Sequence, residues 1–533
     1  MAYQIFGKKI TGPFTIPSGI ITTEVPVLEK IAKEIPEIGI LTTKSIGLEK
    51  REGNKEPIIA QVSPFTFINA VGLRNPGVEE FTKEISQVKI PPFKFLLVSI
   101  FGKDEGEFEK VAKKLVKFAD GLELNISCPH STKYGEVVGK EDKLVERIVK
   151  RLSPLGKPIF LKISPNLDIE NLLKRAIKAG ISGITAINTK GPELYLQDGY
   201  PVLSNKRGGI SGKRIFPIGI ECVKKIRKLT SLPIIACGGI LTAKEIREYE
   251  KAGANFFGIG SALAGMTTEE IKLYFKELLQ DFKHGTNNAE KFLKDNGSRS
   301  YKRYKVIQNK FLDKDIFLLR LEGGIEIKPG QFVFLWLPEK GEKPFSVLDD
   351  EPLTFLIKIR GYFTKQLSEL KRGDVVYLRG PYGNSPQLKG KLLLVGGGTG
   401  VAGISLFTKR YKKTIILLAG KERTFLPYLK EFKKNCEDVF LVSPEKVRDY
   451  KKRFLSVLER IIKKFQPHYC LNCGSKEMVE SVIEIEKNFL DLKKIYSSTD
   501  FLTRCGIGLC GSCATSKGLR SCVDGTFLRP FEL

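Results

Sequence analysis

Ile234-Ile-Ala-Cys-Gly-Gly-Ile-Leu-Thr-Ala-Lys-Glu-Ile-Arg-Glu-Tyr-Glu-Lys-Ala-Gly-Ala-Asn-Phe-Phe-Gly-Ile-Gly-Ser261 holds one complete strand–helix–strand unit. Ile234–Cys237 is a short apolar run closed by two glycines, and Phe256–Gly260 is a second one followed by Ser261. Between them, Ala243–Ala252 carries its apolar residues at helical spacing. Working outward, the same rhythm fills the first 280 residues. Strands are predicted at Thr15–Ser18, Gly39–Thr43, Phe95–Ser99, Gly121–Asn125, Ile159–Ile163 and Gly183–Asn188. Helices fall between them, including Glu107–Ala119, Lys143–Leu152, Ile169–Ala179 and Gly219–Leu229. Eight strands with helical crossovers over about 250 residues predict a TIM barrel. A doubly wound sheet seldom carries eight evenly spaced units.

Beyond the barrel the pattern changes, so the 533-residue chain reads as an α/β multidomain protein. Residues 1–283 form the barrel domain and 284–300 a polar linker. Residues 301–388 alternate short strands with turns, as in a small antiparallel barrel. Residues 389–495 return to an α/β pattern that opens on Leu392-Leu-Leu-Val-Gly-Gly-Gly-Thr-Gly400, and residues 496–533 form a cysteine-rich tail.

The formal charge of +28 comes from 88 Lys and Arg against 60 Asp and Glu. The lysines are interspersed with glutamates and form no arginine-rich arm, which argues against nucleic-acid binding. High Lys and Glu content with only three Met and three His fits a heat-adapted protein. Ten cysteines are too few for a disulfide-dense secreted chain, and the N-terminal residues carry no apolar signal core. No apolar run reaches the roughly 18 residues needed to span a membrane. The expected compartment is the cytoplasm.

Reactive groups of a TIM barrel sit where its strands end. Here those positions carry Ser18, Lys44 and Ser45, Asn125, Cys128, Lys162, Asn188 and Thr189. Gly238-Gly239 and Gly260-Ser261, after the last two strands, suit a phosphate held by backbone N–H groups. Two lysines and several amides at one mouth suit a flavin, whose N1 and O2 favour a positive neighbour. Cys128 precedes Pro129, which takes it off the strand ladder, and a thiolate there can act as a general base. Cys222, Cys237 and Cys436 read as packing residues.

In the tail, Cys505, Cys510, Cys513 and Cys522 have the spacing C-x4-C-x2-C-x8-C. That asymmetry favours a [2Fe–2S] cluster over structural zinc, which usually takes two C-x2-C-like knuckles. Cys470 and Cys473 form another C-x2-C, but two ligands make a poor metal site.

Residues 1–283 resemble the class 1 dihydroorotate dehydrogenases. Thr42-Thr-Lys-Ser45, Asn69-Ala-Val-Gly-Leu-Arg-Asn-Pro-Gly77, Asn125-Ile-Ser-Cys-Pro129, Ile187-Asn-Thr189 and the two glycine sites carry the resemblance. It implies FMN in the barrel, with Cys128 taking the C5 proton of dihydroorotate. Lys44, Asn69, Ala70, Val71, Gly72, Leu73, Asn125, Asn188 and Thr189 would hold the substrate. FMN would rest on Ser18, Lys44, Ser45, Asn125, Lys162 and Ile187. Its phosphate end would meet Gly212, Gly238, Gly239, Gly260 and Ser261. Two positions depart from the family: His130 and Ser99 stand where asparagine is common. At His130 the chain is closer to dihydropyrimidine dehydrogenases, which however lack the run Asn69–Leu73.

Residues 301–533 resemble the electron-transfer subunit of class 1B dihydroorotate dehydrogenase, itself similar to ferredoxin reductases. The family's Arg-Pro-x-Ser motif for FAD appears as Lys343, Pro344, Phe345 and Ser346. Leu356, Ile357, Lys358, Phe363 and Thr364 fall at its other FAD contacts. Gly396, Gly397, Gly398 and Gly400 match an NAD-binding turn. The four tail cysteines match its cluster ligands.

The resemblance thus implies a fused, NAD-dependent dihydroorotate dehydrogenase of de novo pyrimidine biosynthesis. Electrons would pass from FMN through the [2Fe–2S] cluster to FAD and NAD. Pairing through the barrels into a homodimer is implied likewise. The alternatives are an NAD-linked dihydropyrimidine (uracil or thymine) dehydrogenase and an electron-transfer module for a partner protein.

Overall fold

The computed structural model describes residues 3–126, 136–294, 300–446 and 448–533. The chain divides into two compact units, Met1–Gly297 with Ile507–Ala514, and Ser298–Gly506 with Thr515–Leu533.

The first unit is built on a closed barrel of eight parallel strands. They are β1 (Phe14–Ile16), β2 (Ile38–Thr42), β3 (Phe95–Ile100), β4 (Gly121–Asn125), β5 (Ile159–Ile163), β6 (Gly183–Ala186), β7 (Ile234–Cys237) and β8 (Phe256–Gly258). Each pairs with its neighbour in chain order, and β8 closes on β1. All eight coincide with the strands predicted from the sequence to within three residues at either end. The crossover helices are amphipathic for the usual reason, a stripe of apolar residues turned to the barrel. In Ile169–Ala179 the buried stripe is Leu172, Leu173, Ala176 and Ala179. Asp168 caps its start by accepting from Asn171 N, and Gly180 ends it in the left-handed region. Thr242 and Glu245 form a capping box on Ala243–Lys251.

Four strands outside the barrel form a second, antiparallel sheet in this unit: Ile59–Ser63, Thr66–Asn69, Lys190–Leu194 and Arg207–Gly212. The sequence reading did not anticipate it. The stretch read as a linker is partly folded on the barrel's last helix, Thr268–His284. The buried Asp281 carboxylate accepts from Ala289 N at 2.7 Å, Asn288 Nδ2 at 3.2 Å and the Thr286 hydroxyl, which fixes a short 3-10 turn over Asn288–Phe292.

The second unit contains a seven-stranded antiparallel sheet spanning residues 302–382 and a five-stranded parallel sheet. The parallel strands are β9 (Leu392–Gly397), β10 (Thr414–Ala419), β11 (Asp438–Val442), β12 (Tyr469–Cys473) and β13 (Ile495–Ser498). Their order is β11-β10-β9-β12-β13, so the strand order reverses between β9 and β12. In such sheets that reversal opens a crevice beyond the strands' carboxyl ends. Residues 496–533, read from the sequence as one cluster domain, contribute β13 to this sheet and Ile507–Ala514 to the barrel unit.

Candidate active site

A cavity opens in the barrel unit where the strands end. Its wall includes Ser18 after β1, Lys44 and Ser45 after β2, Asn125 at the end of β4 and Lys162 on β5. Ile187, Asn188 and Thr189 follow β6 in the same wall. Gly238 and Gly239 after β7, and Gly260 and Ser261 after β8, complete the ring with Gly212. The antiparallel sheet adds Asn69, and the chain beyond it adds Val71, Gly72 and Leu73. Every barrel residue the sequence singled out for FMN is therefore in this wall. Of the residues singled out for substrate, Ala70 is not among those lining it: its side chain is buried and its N–H donates to Ile58 O at 2.8 Å. Cys128 and His130 lie outside the described residues.

Local hydrogen bonds fix the polar wall. Ser45 Oγ lies 2.9 Å from both Ser18 Oγ and Ser99 Oγ, and accepts from Asn125 Nδ2 at 2.8 Å. Asn188 N donates to Ile163 O and Ile187 N to Cys237 O, tying the chain after β6 to both neighbouring strands. Asn69 Nδ2 donates to Gly209 O at 3.3 Å. The Tyr249 hydroxyl donates to Gly238 O at 2.8 Å, which holds the turn after β7. Ser99 is fully buried beneath this wall.

The cavity's glycine end has the shape a phosphate needs. Gly212 has φ +91°, and a Cβ there would stand 1.9 Å from Phe65 O and 3.2 Å from Ser261 Oγ. Backbone N–H groups can approach an anion at this end with no side chain intervening. Ser261 opens a one-turn helix, as at phosphate sites after the last strands of such barrels. With the buried Lys44 and Lys162 in the same wall, the donor set fits a phosphorylated flavin.

Two further wall residues come from the far end of the sequence: Leu509 and Cys510. Their segment, Ile507–Ala514, is joined to the barrel unit by Ile21 N donating to Leu509 O at 2.6 Å and Gly265 N donating to Ile507 O at 2.8 Å. Of the four tail cysteines, Cys510 and Cys513 belong to the barrel unit and Cys505 and Cys522 to the second unit. All four thiols are buried. Among the described residues no three His, Cys, Asp or Glu side chains gather as ligands of a single ion.

In the second unit, Phe345 stacks on Phe363 with ring centroids 6.3 Å apart, which brings Lys343–Ser346 beside Phe363-Thr364. Lys343 and Lys358 are exposed. Leu356 and Ile357 are core residues, so any contact they make with a cofactor comes from their backbone. Gly396 and Gly397 end β9, the turn Gly398–Gly400 follows, and a Cβ on Gly400 would stand 2.5 Å from Cys473 O. This close approach places the glycine turn and the Cys473-Gly474 turn side by side at the crevice where the strand order reverses.

Cys237 also lines the cavity, whereas Cys436 and Cys470 pack in the cores of the second unit. Burial pushes the Cys237 and Cys436 thiols up to about 12. Cys470 is fully buried in the core, and its thiol is also pushed up by burial and by Glu486 beside it.

Residues 1–279 match the family model described as dihydroorotate dehydrogenase. The chain is 40% identical over 266 residues to a dihydroorotate dehydrogenase B (NAD(+)) catalytic subunit from Methanocaldococcus jannaschii, covering 49% of this chain and 86% of that protein. It is 38% identical over 285 residues to the protein of the same name from Pyrococcus abyssi, covering 51% and 93%. For the Archaeoglobus fulgidus protein of that name the figures are 36% over 267 residues, 49% and 87%.

Proposed function

The chain belongs to the dihydroorotate dehydrogenase family, and on that premise we propose that it oxidises dihydroorotate to orotate at the barrel cavity and delivers the electrons to NAD within one polypeptide. The observation that carries this reading is Cys510, a member of the C-x4-C-x2-C-x8-C set, lining the same cavity as Lys44, Asn125 and Lys162. A cluster ligand in the wall of a flavin site gives electrons an exit from the barrel.

When bound, FMN supplies hydride acceptance, a [2Fe–2S] cluster single-electron transfer, and FAD the return of a hydride to NAD. The rest is the work of the chain's own residues. Lys44 meets the substrate carboxylate as a charge-assisted donor. Asn69, Asn125 and Asn188, with Thr189, offer the paired donors and acceptors that a planar imide needs. Val71, Gly72 and Leu73 close that side of the cavity. Cys128 takes the proton from C5 of dihydroorotate. Lys162 would supply positive charge to the flavin ring, and Gly212, Gly238, Gly239, Gly260 and Ser261 would cradle its phosphate. Cys505, Cys510, Cys513 and Cys522 would hold the cluster. Lys343–Ser346, Leu356–Lys358, Phe363 and Thr364 would hold FAD, and Gly396–Gly400 the NAD phosphates. Lysine at 343 supplies charge without the bidentate fork of arginine. Pairing of two chains through their barrels belongs to the same proposal and is read by light scattering.

The second reading, oxidation of dihydrouracil or dihydrothymine, is favoured by His130. Stopped-flow reduction of the FMN-loaded chain by dihydroorotate and by dihydrouracil separates the two. Faster reduction by dihydrouracil would replace the first reading with the second.

A further inference from the structure

We propose that Glu123 is a positioning residue of the flavin site: its carboxylate, buried one layer beneath the cavity wall, is the counter-charge that holds the Lys162 ammonium and sets how readily the flavin is reduced. The inference rests on reading the cavity as an FMN site.

Barrel interiors of this kind are filled mainly by branched apolar side chains. Glu123 breaks that rule in the middle of β4, where it is 1% exposed. It points to the same side as Asn125, two residues on, and Asn125 is in the cavity wall. An isolated carboxylate in such a place costs several kcal/mol unless its charge and lone pairs are met. Here they are met from three other strands of the barrel. Ser99 Oγ on β3 donates to Oε1 at 2.9 Å, and Thr185 Oγ1 on β6 donates to Oε2 at 2.9 Å. Lys162 Nζ on β5 lies 3.8 Å from Oε1, with both side chains out of solvent. Ser99 also bonds Ser45, so one chain of polar groups runs from the carboxylate to Ser45, Asn125 and Ser18 in the wall. Lys162 is thus one end of a compensated pair, its ammonium within reach of the cavity and its counter-ion below.

A reduced flavin carries more negative charge than an oxidised one, so uncompensated positive charge beside it favours reduction. Glu123→Gln keeps the shape and removes the counter-charge. In the FMN-loaded full chain, titrated with dithionite against a reference dye, the flavin potential of E123Q is expected to move positive. The expected size is about tenfold in the reduction equilibrium, or about 30 mV for a two-electron couple. An unchanged or more negative potential would overturn the proposal, since loss of a merely structural contact removes stability and leaves the potential in place. If E123Q fails to hold FMN, Glu123→Asp decides: it keeps the charge and is expected to keep the wild-type potential, and a tenfold shift there would overturn the proposal equally. Dithionite replaces the substrate in this test. A wild-type chain that dihydroorotate fails to reduce therefore sinks the substrate reading alone, and an unshifted E123Q in a chain that it does reduce sinks the role of Glu123 alone.

Discussion

Arg379 and Glu342 form a buried bidentate ion pair, with Nε 2.6 Å from Oε1 and Nη2 2.8 Å from Oε2. The same guanidinium donates through Nη1 to Cys505 O at 2.8 Å and to the Tyr382 hydroxyl at 3.0 Å, and it stands 4.0 Å from the centre of the Phe334 ring. The Tyr301 hydroxyl donates to Glu342 Oε1 at 2.6 Å. One charged pair in the second unit therefore fixes the backbone of the first tail cysteine. Arg379→Met strands the Glu342 charge with only the Tyr301 hydroxyl donating to it, and is expected to cost about 3–5 kcal/mol, read by urea unfolding of the second unit. Arg379→Met combined with Glu342→Leu should recover most of that loss, because an apolar pair of similar volume removes the stranded charge. A single variant as stable as wild type would show that the pair contributes nothing.

Lys44 is 7% exposed and in the cavity wall. A charge-assisted bond to a carboxylate is worth roughly 1.5–3 kcal/mol, or about 10- to 100-fold in binding. Lys44→Met should raise KM for dihydroorotate by that factor and leave a dihydropyrimidine without the carboxylate much less affected. Equal losses for both substrates would take Lys44 off the carboxylate.

Glu486 is fully buried, accepting from Asn472 Nδ2 at 2.7 Å and bonded to the Cys470 thiol. Burial pushes its carboxyl up to about 8, well above the unfolded value of 4.5. An acid with a raised folded pKa binds its proton more tightly when folded. Its contribution is therefore complete at low pH and is lost as pH rises through about 8. Between those values the stability of the second unit should fall by up to about 1.4 kcal/mol per pH unit from this group. Glu486→Gln should flatten that decline in denaturant titrations from pH 5 to 9, and an unaltered slope would contradict it.

In the proposed reaction Cys128 is the base. A positioned general base contributes about 10²–10⁴ in rate. Cys128→Ser should slow flavin reduction by dihydroorotate within that range at neutral pH, and leave NADH-driven reduction in the second unit at its wild-type rate. Unchanged turnover would remove Cys128 from the base role.

The barrel was legible because each of its strands is a short apolar run punctuated by glycine or a polar turn, and because helices such as Ile169–Ala179 carry their own stop signals. The antiparallel sheet over residues 59–69 and 190–212 was not. Lys190–Leu194 has no buried residue, and its adjacent Gly191 and Pro192 have the composition of a loop. Pairing with Arg207–Gly212, a contact distant in sequence, makes it a strand. Ala70 shows the limit of carrying a motif over whole: it sits within Asn69–Leu73, yet its side chain turns into the core. Glu123 had a visible signal, an acid two residues before Asn125 in an otherwise apolar strand, but its partners Ser99, Lys162 and Thr185 are adjacent only once the barrel closes. The docking of Leu509 on Ile21 is beyond any local pattern, since nearly the whole chain separates the two.

The most direct test of an internal route from substrate to NAD is an anaerobic titration of the full chain, loaded with FMN, FAD and iron–sulfide, with dihydroorotate. Flavin and iron–sulfur absorbance are followed, and NAD is then added. The expected result is bleaching of both flavin and cluster bands by dihydroorotate alone, reversed by NAD with formation of NADH and no added protein. Bleaching confined to one flavin, with the cluster band unmoved and no NADH formed, would contradict it.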